Sequence, residues 1–221
     1  MKSRVLKIAL LLTAIYGLAL AGPGCGLLDS SDIWIDLPDQ SFEFSLDADL
    51  LKQAIEAELG VSLDGLTKIP AELDLQKTFA FELPPERIDL SDEEQLKDYI
   101  AAGKVNDVKI KYVQYTINNN TLNLGIPSLE MWMDQHDAVE ITDSSEKIAV
   151  TKTIEPGWSG TDEVSFTEGG RQKLSDFLMS LKFCFIGRTE ITIDTNVDRM
   201  IPTGVMDGIV KVGIKFSVDP L

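Results

Sequence analysis

Val105-Asn106-Asp107-Val108-Lys109-Ile110-Lys111-Tyr112-Val113-Gln114-Tyr115 is where the chain changes its period. Upstream, apolar residues recur at helical spacing; here they alternate. Val108, Ile110 and Tyr112, with Gln114, fall on one side of an extended chain, and Lys109, Lys111, Val113 and Tyr115 fall on the other. Successive side chains of a strand point to opposite faces, so the alternation predicts a strand. Asn118-Asn119-Asn120 reads as a turn, and Thr121 to Leu124 resumes the alternation.

The pattern continues toward the C-terminus. Leu129, Met131 and Met133 alternate with Glu130, Trp132 and Asp134, and Lys147 to Glu155 is strand-like until Pro156-Gly157 breaks it. Phe183 to Ile193, Asp194 to Val197 and Val205 to Val218 follow, the last with Gly208 and Gly213 as signs of bulges or close packing. Helical spacing marks three other segments. One lies near 47–59, with Leu50, Leu51, Ala54, Ile55 and Leu59 on one face and Gly60 as its stop. A second, near 92–102, opens on the capping box Ser91-Asp92-Glu93-Glu94 and carries Leu96, Tyr99 and Ile100. A third, near 168–182, has Thr167 as its cap and Leu174, Phe177, Leu178 and Leu181 as its stripe.

Two segments echo each other. Ile33-Trp34-Ile35-Asp36-Leu37-Pro38 and Phe79-Ala80-Phe81-Glu82-Leu83-Pro84 share apolar alternation, then acid-Leu-Pro, then a short strand and a helix. Chance or shared punctuation explains this as well as repetition does. Short strands with frequent turns predict a mainly-β fold with helices (α+β), an antiparallel β-sandwich with about three flanking helices. A parallel α/β fold is disfavoured, because strands and helices do not alternate regularly. Residues 33–221 are long enough for a single domain with a real core.

The N-terminus has a different character. Lys2, Arg4 and Lys7 precede an apolar run, and small residues follow at Ala21, Gly22 and Gly24, so residues 1–24 read as a signal peptide. Ile8 to Ala21 is only 14 residues, short of the ~20 that span a bilayer. Gly22-Pro23-Gly24-Cys25 then resembles the lipobox of bacterial lipoproteins, although Gly22 and Pro23 stand where that family favours Leu and Ala or Ser. The resemblance implies cleavage before Cys25, lipidation of its thiol, and residues 25–32 as lipidated Cys and tether. Acyl chains contribute about 0.8 kcal/mol per buried methylene, so several hold a protein firmly. In lipoproteins of two-membraned bacteria, an Asp after the Cys retains the protein at the inner membrane. Gly26 in that place implies outer-membrane sorting, with the domain on the periplasmic face or at the cell surface.

The chain of 221 residues carries 20 Lys and Arg against 36 Asp and Glu, a net charge of -16. Without residues 1–24 the balance is 17 against 36, or -19. Phosphate neutralisation needs clustered Lys and Arg, so nucleic acid is excluded as a partner. The same balance argues against adsorption to an anionic lipid surface.

Candidate sites are few. Cys184 sits in Phe183-Cys184-Phe185-Ile186 and reads as a buried hydrophobe. A Cys25–Cys184 disulfide is the competing reading for an exported chain. A catalytic thiolate needs a basic neighbour, and the sole histidine, His136, is 48 positions away. Asp134, Asp137, Glu140 and Asp143 are the candidate ligands for a hard cation such as calcium, without EF-hand spacing. Trp132 and Trp158, with Trp34, are candidates for sugar stacking, against the alternative of a strand buried on both faces. Asn119-Asn120-Thr121 has the form of a glycosylation sequon, but beside a bacterial lipobox it reads as a tight turn. The motifs of phosphate, dinucleotide, serine-hydrolase and zinc-protease sites are absent from the sequence. No cofactor is expected. The sequence therefore predicts a non-enzymatic, lipid-anchored envelope protein with a structural or protein-interaction role. The alternative is a carbohydrate- or calcium-binding module on the same anchor, and a hydrolase with an unrecognised carboxylate pair is a third reading. An apolar tube between helices and sheet would point instead to lipid carriage.

Overall fold

In a computed structural model that describes residues 33–221, the long strand read first is β5, Val105–Asn120. It pairs antiparallel with β11, Val205–Val218, which has β1 (Ile33–Asp36) and β2 (Gln40–Asp47) end to end on its other edge. Gly160–Glu163 (β8) completes this five-stranded sheet on the far side of β5. The second sheet has six strands around β10, Lys182–Asp194. One edge of β10 takes β3 (Gln76–Glu82) and β4 (Glu86–Asp89), and the other takes β6 (Leu129–Gln135). β7 (Glu146–Val150) and β9 (Ser165–Phe166) continue outward. All pairings are antiparallel, so the molecule is the expected α+β sandwich.

Alternation builds the core. In β2, Phe42, Phe44 and Leu46 are buried while Ser41, Glu43 and Ser45 are exposed. Val210, Val212, Ile214 and Phe216 line the inner side of β11. Phe42 stacks on Phe185 of β10, centroids 5.1 Å apart, so the two sheets meet face to face. Each fully buried side chain of this size is worth about 1.5–3 kcal/mol. The gap left among Phe42, Val113, Met131, Leu174 and Val212 is only about 20 Å³, far too small for an acyl chain. Between the two sheets this gap offers no apolar tube for lipid carriage.

β5 corrects the simplest reading of its alternation. Opposite Gly213 and Ile214 lie Tyr112 and Ile110, so Lys111 is an extra residue in a bulge. A bulge advances the side-chain phase by one position. Val108 and Ile110 face inward before it, and Val113, Tyr115 and Ile117 face inward after it, whereas Tyr112 lies across Gly213 on the outer face. A second bulge at Asn118 lets the strand run through Asn118–Asn120. That segment is strand rather than turn, and Thr121–Leu124 lies outside the sheet.

The three helices close the sandwich. In α1 (Ala48–Leu59), the Asp47 carboxylate accepts the Asp49 amide, and Gly60 ends the helix at φ 69°. Leu51 and Ile55 are buried, but Leu50 points to solvent. The expected capping box at Ser91 does not form. Asp89 accepts from Ser91 instead, a 3-10 turn covers Leu90–Asp92, and the short α2 is Lys97–Ala101. In α3 (Gly170–Ser180), Thr167 is not the cap; its hydroxyl donates to the carbonyls of Lys147 and Ile148. Gly169 takes that position with φ 71°. A Cβ on Gly170 would stand 2.0 Å from the Ile148 carbonyl oxygen, so glycine lets the helix seat on β7. Residues 1–24 and 25–32, read as signal peptide, lipidated Cys and tether, lie outside the described residues.

Candidate interaction surface

Asp134, Asp137, Glu140 and Asp143 do not converge. Among the described residues, no group of three or more His, Cys, Asp or Glu is arranged to hold a metal ion. Asp134 is buried at the end of β6 and turned into its own loop. Its carboxylate accepts from the Ser145 hydroxyl at 2.5 Å, the Gln135 amide at 2.7 Å, and Thr142 and Ser144 at 3.3 and 3.4 Å. Burial pushes the carboxyl upward, but these donors outweigh it and hold it below the usual carboxylate range. Asp137, Glu140 and Asp143 are exposed in the loop that Asp134 anchors.

That loop, residues 136–145, lies over the outer side of β10. Glu82 accepts the Ile141 amide, Arg87 donates to the His136 carbonyl, and Cys184 donates weakly to the Ala138 carbonyl at 3.7 Å. Cys184 is free and completely buried beneath it. Burial pushes its thiol upward, with Arg87 opposing and Asp134 and Glu86 adding to the effect. A thiol in that state is a poor nucleophile at neutral pH.

The tryptophans do not share a face. Trp132 is half-buried on the second sheet, where its indole donates to Glu130 at 2.9 Å and Lys147 sits 5.4 Å from the ring. Trp158 lies in a turn beside β8 and packs 6.0 Å from the Tyr115 ring. Trp34 is on β1 in the first sheet. A common sugar-stacking platform of all three is therefore not present.

The outer face of the first sheet shows what strand-by-strand reading missed. Lys109 and Lys215 are direct cross-strand partners, and their ammonium groups lie 4.0 and 5.0 Å from the Trp34 ring centroid. Lys111, displaced outward by the bulge, reaches Asp36 at 2.9 Å. Lys211 is exposed on the same face. Among the described residues, Lys109, Lys211 and Lys215 make no ion pair. Like charges placed directly opposite destabilise a sheet, and the Trp34 π-face offsets part of that repulsion. Only the pairing of β1 and β5 to a shared neighbour brings these residues together.

At one end of the sandwich an open groove of about 450 Å³ is bordered by Leu124, Ile191, Val197 and Met200, with Glu155, Asp194 and Asp198. Its Asp194 and Asp198 carboxylates accept from the amides of Asn196 and Met200, and it contains no cationic side chain.

No family model matches the chain, and no curated protein is significantly similar to it. Among solved structures, it is similar to a cryo-EM structure of Mud crab tombus-like virus, at 8% identity and TM-score 0.32, covering 91% of this chain and 89% of that one. A structure of Desmodium yellow mottle tymovirus aligns at 10% identity and TM-score 0.21, over 71% and 88% of the two chains. At these TM-scores neither likeness bears on function.

Proposed function

We propose that the chain is a lipid-anchored protein of the cell envelope, attached through Cys25, whose sandwich serves a structural or protein-interaction role rather than catalysis. The anchor would place it at the outer membrane of a two-membraned bacterium, on the periplasmic face or at the cell surface. The observation that carries this reading is the state of the other cysteine. Cys184 is unpaired and sealed under the 136–145 loop, so a bond to Cys25 would require that loop to lift. Cys25 is then left for the chemistry its Gly22-Pro23-Gly24-Cys25 context suggests. The non-catalytic part of the reading is supported by the same thiol, which burial keeps protonated. Mass spectrometry of the N-terminus purified from native membranes tests it. A peptide beginning at acylated Cys25 is expected; a soluble chain intact from Met1 would overturn it.

A further inference from the structure

The last five residues of β10 have a strand on one side only. β3 pairs with β10 as far as Asp194, but β6 ends opposite Thr189, so along Glu190–Asp194 the β6 side carries no strand among the described residues. Backbone groups of successive strand residues point to alternate edges. The Gly187 carbonyl and the Thr195 amide are turned toward β3, where they bond the Leu83 amide and the Leu75 carbonyl. Thr192 and Asp194 stand in the other phase, so their amides and the Thr192 carbonyl face the open edge. Among the described residues no backbone group meets them.

Ile191–Asp194 also line the open groove of about 450 Å³, together with Leu124, Glu155, Val197, Asp198 and Met200. Val197 and Met200 are 85% and 47% exposed, so apolar surface is left open to water. Glu155, Asp194 and Asp198 make no ion pair among the described residues. Asp194 and Asp198 accept from the Asn196 and Met200 amides and from Gln76, uncharged donors that leave both carboxylates anionic. Cations of neighbouring segments are occupied elsewhere. Arg199 donates to the Pro70 and Leu73 carbonyls and to Asp74, and Lys77 pairs with Glu58. Lys68, bridged to Met200, is not part of the lining.

An open strand edge takes another strand through main-chain hydrogen bonds, and side chains select which strand. Unpaired carboxylates select cations, and the exposed apolar residues select aliphatic side chains. A second copy of the chain does not supply that pattern at its sheet edges. The edge strands β1, β2 and β8 carry Asp36, Glu43, Asp47, Asp162 and Glu163 and no Lys or Arg. We propose that the groove takes an extended segment of a partner protein, alternating Lys or Arg with aliphatic residues, which pairs through its backbone with β10 at Thr192. The proposal rests on the protein-interaction part of the reading above and is independent of the anchor at Cys25.

The test adds a blocked peptide of alternating lysine and valine to the full chain in non-ionic detergent, with a glutamate–valine peptide as control. Fluorescence anisotropy reports binding, hydrogen exchange reports the Thr192 amide, and sedimentation reports self-association. The lysine peptide should bind and slow exchange at Thr192 about tenfold, as one added hydrogen bond does. The glutamate peptide should leave Thr192 unprotected. Glu155→Gln combined with Asp198→Asn should weaken the lysine peptide about fivefold, the worth of two exposed charge pairs. Binding without protection of Thr192, or undiminished by the double variant, overturns the strand-pairing site. Protection of Thr192 by self-association without peptide also overturns it and makes a second copy the occupant. An absence of binding overturns the groove and leaves the anchor standing, because mass spectrometry of the N-terminus reads that separately.

Discussion

The two sheets follow one plan and wear different charges. In each, a long C-terminal strand carries a broken edge strand on one side and a long partner on the other: β11 with β1, β2 and β5, and β10 with β3, β4 and β6. The breaks are the Leu-Pro pairs of the sequence echo. Leu37 and Leu83 are both buried, and their amides donate to the carbonyls of Ile214 and Gly187 in the long strands. Proline removes the next ladder donor, so the edge must interrupt there. Trp34 on β1 corresponds to Ala80 on β3. On the second sheet Lys147 takes Glu130 at 2.6 Å and Arg188 takes Glu190 at 2.6 Å, while Arg87 donates to the His136 carbonyl. On the first sheet Lys109 and Lys215 face each other. Equivalent scaffolds with opposite charge solutions teach that the lysine face is not a requirement of the fold.

The sharpest way to break this equivalence is at the two leucines. Leu37→Ala and Leu83→Ala should each cost about 3 kcal/mol by urea unfolding, because each leaves a cavity at a buried edge break. A cost below about 1 kcal/mol at one of them would show that only one sheet depends on the device.

Among the described residues the loop that covers the second sheet has no counterpart on the first, and Asp134 holds it. Asp134→Ala should cost about 2 kcal/mol, since four donors lose their acceptor. It should also expose Cys184 to thiol reagents, which is read directly by labelling rate. Because the folded carboxyl is held below its unfolded value, its contribution is present at neutral pH. It is lost as pH falls from the ordinary carboxylate range toward the folded value. Asp134→Asn should flatten that part of the acid unfolding curve.

The charge contrast predicts opposite signs. Burial raises the Glu130 carboxyl, but Lys147 and Trp132 together hold it below the usual range. Glu130→Gln should therefore lower stability by about 1 kcal/mol, and less so at acid pH. Lys215→Gln should raise stability by roughly 0.5 kcal/mol, by removing a like-charged neighbour. Both are measured by the same urea unfolding at neutral pH, and a loss at Lys215 would show that the lysine pair is structural. The smallest effect is expected from calcium. Millimolar calcium should leave the melting temperature unchanged, because Asp134 is already used by its own loop. A rise would restore the acids of residues 134–143 as a site.

The amino-acid order by itself determined which segments are strands and which are helices wherever the period was long and regular. β6 and β11 follow from alternation, β10 was read only as an apolar run, and the Gly60 stop follows from the left-handed conformation that ends α1. Local chemistry was less legible where two acceptors competed. Asp89 rather than Ser91 caps the turn before α2, and Gly169 displaces Thr167 before α3. The short strands β8 and β9 have too few alternations to announce themselves. Tertiary structure alone decided the rest. The Lys111 bulge reverses the face of Val113 to Ile117 in β5, and Gly213, on a strand some hundred positions away, leaves the space that Tyr112 fills. The Trp34–Lys109–Lys215 cluster needs β1 and β5 on opposite edges of β11. Contacts of that kind depend on long-range pairing, which no local window of sequence contains.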